Sequence, residues 1–290
     1  MKVFLTGSTG FVGSRVMQEL LDQGYEVKAL VRDKEVPEGV EAVRGDILEP
    51  ESFEGALGDV DAVIHLIGII REFPAKGVTF EKLHYQASVN IIDAAERAGI
   101  KRFIHMSANG SRADAVSDYH KTKYKAEEHL RNSSLEWTIM RPSLIYGPGD
   151  SFINMLAGYM RKAPAFTYFG DGSYPMQPVS VHEVAEIFVN SIKTPETVGK
   201  LYPVCGNRVF TYKHLLKKIM HAIDRGMPLL PVPEFAVSFG ITLFGGLSFF
   251  PITRDQFIML TEGNTCEDRE VFDTVDVTER NFDEEIKTYL

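Results

Sequence analysis

Cysteine is scarce in this 290-residue chain, where Cys205 and Cys266 are the only two. Two thiols build no disulfide framework, so a reducing compartment and a cytoplasmic location are expected. Cysteine and histidine nowhere recur at metal-ligand spacing, which predicts that no metal is bound. Basic residues are outnumbered, 31 Lys and Arg against 40 Asp and Glu, for a net charge of −9. That balance argues against a nucleic-acid surface and removes nucleic acid from the expected partners. No charged leader precedes an apolar core at the start, so no signal peptide is expected. One run lacks charge altogether, residues 235–253. Its length approaches the roughly 20 residues of a membrane span, but Gly240, Gly245, Gly246 and Pro251 interrupt it. Phe235, Phe239, Leu243 and Leu247 recur there at helical spacing. Core packing, a lid over an apolar substrate, and a membrane-surface or protein contact all accommodate that stripe.

What the chain does have begins with Lys2-Val-Phe-Leu-Thr-Gly-Ser-Thr-Gly-Phe-Val-Gly13. The apolar run Val3, Phe4, Leu5 reads as a buried parallel strand, and an amphipathic helical pattern starts at Phe11. Strand, glycine turn and helix together set a pyrophosphate on a helix N-terminus, where free N–H groups and the dipole meet negative charge. The triplet is spaced Gly-x-x-Gly-x-x-Gly through Gly7, Gly10 and Gly13. This stretch therefore predicts a dinucleotide cradle of Gly7, Ser8, Thr9, Gly10, Phe11, Val12 and Gly13.

Strand and helix patterns then alternate. Strands are expected at Glu26–Val31, Val40–Val43, Ala62–Ile67, Arg102–Met106 and Glu136–Met140. A short helix opens at Pro50 and Ser52, a long one runs from Phe80 to Ala98, and another spans Asp118–Arg131. Near-continuous apolar strands in repeated β-α units imply a doubly wound parallel sheet of the Rossmann type. Ligands then bind at the carboxyl ends of its strands, which brings in Leu66, Ile67, Gly68 and Met106. Beyond Pro142 the rhythm breaks, with helices at 181–192, 213–223 and 254–260. The expected division is a dinucleotide-binding domain over 1–149. A smaller, irregular substrate region over 150–290 returns an element or two to the main sheet.

The cofactor is decided at the end of the second strand. An acid there holds a ribose 2′-hydroxyl, whereas an arginine accommodates a 2′-phosphate. Arg32 follows Val31, which predicts NADP(H) in preference to NAD(H), with Arg15 a second cation. Asp46 and Ile47 are placed at the adenine. Tyr119 and Lys123, four apart on one helix, share a face. An ammonium beside a phenol lowers its pKa and suits it to proton transfer with a carbonyl or alcohol. Pro142, Leu144 and Ile145 leave the sixth strand where a nicotinamide ring is expected.

These motifs, with Gly45-Asp46, Ala98–Ser107 and Tyr146-Gly-Pro148, resemble an extended or atypical short-chain dehydrogenase/reductase. The likeness covers nearly the whole length. Within that family, residues 251–264 are similar to the branch of the NADPH-binding accessory subunit of respiratory complex I and its bacterial relatives. The resemblance implies a tyrosine acid/base (Tyr119), a lysine beside it (Lys123) and a serine or threonine that polarises the substrate oxygen. At that last position active members read Ser-Ser, and this chain reads Ser107-Ala108. Ser107 and Ser111 are the candidate replacements, each displaced from that position. Two functions follow: an NADP-dependent oxidoreductase or epimerase on a small, apolar or sugar-nucleotide substrate, or a catalytically impaired NADPH-binding module with a structural, regulatory or assembly role.

Overall fold

The computed structural model describes residues 1–244 and 252–290. The chain divides into two compact units, each discontinuous in sequence. The first is built from Met1–Pro142, Val181–Val204 and Asp268–Thr278, the second from Ser143–Ser180, Cys205–Glu267 and Glu279–Leu290.

In the first unit, β1 (Lys2–Thr6) leads into α1 (Phe11–Asp22), followed by β2 (Glu26–Val31), β3 (Val40–Arg44) and β4 (Ala62–His65). Next come α2 (Ala87–Arg97), β5 (Arg102–Met106), α3 (Asp118–Arg131) and β6 (Glu136–Pro142). The chain returns later with α5 (Val181–Asn190), β11 (Lys200–Val204) and α9 (Glu270–Thr274). Seven strands pair in the order β11-β6-β5-β4-β1-β2-β3, every pair parallel. Val3, Phe4, Leu5, Val63, Ile64, Phe103 and Ile104 are fully buried. Unbroken apolar strands of that kind belong in a sheet covered on both faces. Val12, Val16 and Leu20 of α1 are buried in steps of four, one stripe against the sheet. Strand order reverses between β4 and β1, which places a ligand crevice at the carboxyl ends of these strands.

Arg102 knits the returning segment to the sheet. Its buried guanidinium donates to Glu136 O, Thr138 Oγ1, Ser191 O and Thr197 Oγ1, each at 2.7 Å. Four acceptors offset the cost of burying the charge.

The structure departs from the expected elements in two places that matter for the site. The ladder of β4 stops at His65, and after a last bond from Leu66 N to Thr6 O at 3.2 Å the chain leaves the sheet at Ile67 and Gly68. The helix expected from Phe80 to Ala98 opens as a π-turn over Glu81–Gln86 before α2 begins. A wider turn of this sort re-aims side chains and is common near functional sites. Here His84 is buried, while Lys82 and Leu83 line a cavity.

The second unit contains β7 (Ile145–Tyr146), α4 (Phe152–Lys162), β8 (Phe166–Phe169), β9 (Pro175–Met176) and β10 (Val179–Ser180). It continues with β12 (Phe210–Thr211), α6 (Tyr212–Ala222), β13 (Leu229–Val232), α7 (Glu234–Phe244), α8 (Arg254–Thr261) and α10 (Phe282–Tyr289). Among the described residues its strands pair two by two, and its core includes Tyr146, Ile153, Leu156, Leu215, Ile219 and Phe282. Leu144 packs on that core and Ile145 pairs with Val179.

The two cysteines correct an expectation. Cys205 and Cys266 form a disulfide, with Cα atoms 6.0 Å apart. Sixty-one positions separate them, so nothing local in the sequence announces the pairing. The fold brings them together partly through Gln177, which donates to Gly206 O at 2.7 Å and accepts from Cys266 N at 3.0 Å.

Of the uncharged run, α7 is helical and Phe235 is 78% exposed. Residues 245–251, including Gly245, Gly246, Leu247 and Pro251, lie outside the described residues. No helix among the described residues is long and apolar enough to cross a membrane.

Candidate functional site

The glycine turn between β1 and α1 is built by sterics. Gly7 is left-handed at φ +78°, a region that L side chains rarely adopt. A Cβ on Gly13 would stand 2.0 Å from Gly7 O, so only glycine lets the helix approach the turn this closely. Gly10 is the N-cap of α1. The first turn of that helix therefore faces the cradle with its N–H groups and positive dipole end. Ser8 is fully buried in the turn, and its Oγ has no hydrogen-bond partner among the described residues. A buried, unpaired hydroxyl beside a helix N-terminus is what a phosphate oxygen would satisfy.

Beside the cradle lies a cavity of about 350 Å³, lined by residues that include Leu30, Arg32, Gly45, Asp46, Ile47, Ile67, Lys76, Gly77, Val78, Lys82 and Leu83. Arg32, Asp46, Ile47 and Ile67 are thus brought together at one opening. Asp46 Oδ1 accepts from Leu48 N at 2.9 Å, and its Oδ2 lies 4.0 Å from the Arg32 guanidinium. Arg15 is engaged elsewhere, by Glu19 at 3.2 Å. Lys76, Gly77, Val78, Lys82 and Leu83 carry no motif and reach the cavity only through the π-turn and the loop before it.

Lys123 is buried and donates to Met106 O at 2.9 Å and to Ile67 O at 3.4 Å. Burial pushes its pKa from 10.5 down to about 8. Gly68 leaves it room, because a Cβ there would come within 3.0 Å of Nζ. Tyr119 meets Phe80 and His84 edge to face, at centroid distances of 5.7 and 5.0 Å. Its phenol corrects the expected lowering. Burial raises the pKa to about 12, since desolvation disfavours the phenolate.

Ser107 is buried, and its Oγ lies 3.2 Å from Ser111 Oγ. Its hydroxyl donates to Glu127 Oε1 at 2.5 Å. Glu127 is fully buried and also accepts from Arg141 Nε at 2.7 Å, from Arg141 Nη2 at 2.5 Å and from Arg131 at 3.1 Å. Beneath the site, His65 is buried between Thr6 Oγ1 at 2.6 Å and Ser88 Oγ at 3.1 Å. Desolvation holds its pKa at about 3, a neutral core histidine. Among the described residues no cluster suited to a metal ion is present.

A doubly wound parallel sheet, a glycine cradle at its switch point and a cavity beside it define a Rossmann-type dinucleotide-binding protein. The chain belongs to the NAD(P)H-binding family, whose pattern it matches from residue 7 to residue 195. It is 31% identical to the Arabidopsis thaliana protein NADH dehydrogenase [ubiquinone] 1 alpha subcomplex subunit 9, mitochondrial, over 78% of this chain and 60% of that one. The chain thus spans about three-fifths of that relative's length. It is 26% identical to UDP-glucose 4-epimerase of Vibrio cholerae, over 84% and 82% of the two chains. Its fold is shared with MoeE5 in complex with UDP-glucose and NAD, at a TM-score of 0.75 and 18% identity over 100% and 97% of the chains.

Proposed function

We propose that this protein binds NADP(H) in its first unit and acts chiefly as a cofactor-holding module with a structural, regulatory or assembly role. One observation carries this reading. The Ser107 hydroxyl is given to the buried Glu127 carboxylate, and the next residue is Ala108, which has no hydroxyl to offer a substrate carbonyl. The likeness to a complex I subunit supports a role inside an assembly. When bound, NADPH supplies a hydride. The residues here provide its seat: the cradle from Gly7 to Gly13 for the pyrophosphate, Arg32 for the 2′-phosphate, and Lys123 for the nicotinamide-side ribose.

A second reading is favoured by Lys123. An amine with a pKa of about 8, one helical turn from Tyr119, is poised for acid/base work near neutral pH. Under it, the protein is an oxidoreductase or epimerase, with a sugar nucleotide as the substrate class suggested by its epimerase relative.

Melting scans with NADPH and NADH, followed by a carbonyl and sugar-nucleotide turnover panel, separate the two. A hundredfold excess over Kd stabilises by about 2.7 kcal/mol. The module reading expects a larger shift with NADPH than with NADH, no turnover, and no change in binding on Tyr119→Phe. Turnover that stops in Tyr119→Phe would establish the enzyme instead.

A further inference from the structure

The cavity beside the glycine cradle is richer in cations than the end of β2 alone provides. Arg32, Lys76 and Lys82 line it, against a single acid, Asp46. This excess occurs in a chain with a net charge of −9. Neighbouring acids are occupied elsewhere. Glu81 pairs with Lys125 at 3.2 Å, and Glu72 Oε1 accepts from Phe80 N at 2.6 Å. Nearby cations are also committed. Arg44 donates to Lys34 O at 3.0 Å and to Glu35 at 2.7 Å, and Lys34 donates to Thr9 O at 3.3 Å. Lys76 and Lys82 form no ion pair with a carboxylate among the described residues.

Both lysines are positioned by a folded turn. Phe73 and Val78 exchange backbone bonds of 2.8 and 3.3 Å, and Gly77 closes the turn at φ +71°. The Lys82 Nζ lies 3.6 Å from where a Cβ on Gly77 would be, so its ammonium rests against the turn at the cavity's edge. Two lysines and an arginine in the lining of one cavity suit a dianionic monoester, and the Lys76 ammonium stands on the turn itself, 5.9 Å from the Phe73 ring centroid. These cations gain less from a neutral hydroxyl, which offers no charge to pair.

We propose that Lys76 and Lys82, from the loop and π-turn after β4, are the specificity-determining partners of Arg32 in recognising the 2′-phosphate of NADP(H). This rests on the NADP(H) reading above. A charge-assisted bond distinguishes the phosphorylated cofactor from the other by about tenfold or more in affinity.

Calorimetric titration of the intact chain with NADPH, NADH and adenosine 2′,5′-bisphosphate tests it. The double variant Lys76→Gln, Lys82→Gln is expected to lose about tenfold to a hundredfold for NADPH and for the bisphosphate, with NADH within about twofold. Lys82→Arg is expected to keep the discrimination. Equal losses for NADPH and NADH, or no loss, would overturn the lysine assignment. If the parent binds NADH as tightly as NADPH and ignores the bisphosphate, the NADP(H) reading itself falls. A preference that Arg32→Ala abolishes and the double variant keeps sinks the lysines alone.

Discussion

Ser107 and Glu127 are joined by a 2.5 Å hydrogen bond in which the serine donates. The carboxylate it feeds is fully buried and held by two arginines. Glu127→Ala leaves the Arg141 guanidinium without its bidentate partner and is expected to cost about 3–5 kcal/mol. Ser107→Ala removes the bond to Glu127 and the one to Ser111 Oγ at 3.2 Å, and is expected to cost only about 1–2 kcal/mol, with NADPH affinity unchanged. Urea unfolding and calorimetry read both. A loss of NADPH binding in Ser107→Ala would mean that the hydroxyl faces the cofactor.

Lys123 makes stability depend on pH in a direction opposite to that of an ion-paired lysine. Its pKa is lowered from 10.5 to about 8, so between those values the unfolded chain holds the extra proton. The group's contribution is fully present above pH 10.5 and is lost as pH falls through about 8. Lys123→Met is therefore expected to make the cofactor-free protein about 1–3 kcal/mol more stable at pH 7, and to flatten the rise between pH 8 and 10. The same variant should weaken NADPH about tenfold. An unchanged slope in denaturant unfolding at pH 7, 8.5 and 10 would count against the buried ammonium.

Gly13→Ala inserts a methyl where Gly7 O already stands, 2.0 Å away. Backbone must shift, and the helix N-terminus moves off the turn. The expected outcome is a loss of NADPH binding below detection and a destabilisation of about 1–3 kcal/mol. Retention of parent affinity would show that the turn tolerates a wider helix approach.

Reducing the Cys205–Cys266 bond frees a long closed loop in the unfolded chain. Cys266→Ser is expected to lower stability by about 2–4 kcal/mol, and a dithiol should lower the parent's melting temperature but not the variant's. Free thiols found by mass spectrometry under non-reducing conditions would contradict the bridge.

The sheet was readable because its strands are apolar runs and its first turn is a glycine triplet, both local signals. Other features were hidden for physical reasons. Phe80, Leu83 and Ala87 fit helical spacing whether the first turn has α or π geometry, so the re-aiming of Lys82 and His84 left no trace in periodicity. The disulfide depends on where distant segments meet. Glu127 was the more recoverable case. His120, Lys123, Glu127 and Leu130 are all buried, and their spacing of three and four runs on to an apolar residue. That pattern marks an inward face even though three of its members are polar. Of the proposed site, the cradle, Arg32 and the Tyr119/Lys123 pair were legible as motifs. Lys76 and Lys82 were not, because a loop lysine looks the same whether it faces solvent or a cavity.

The sheet's outer strand β11 and its covering helix α5 are synthesised after an excursion of 38 residues into the other unit, from Ser143 to Ser180. On the ribosome, β6 therefore emerges as an unpaired edge. Arg102 emerges with Thr197 and Ser191, two of its four acceptors, still unmade. At about 5–20 residues per second, that exposure lasts several seconds. A fragment ended at Pro142 would keep the whole glycine cradle yet stay permanently in this half-finished state, with an open strand edge ready to pair with a second copy.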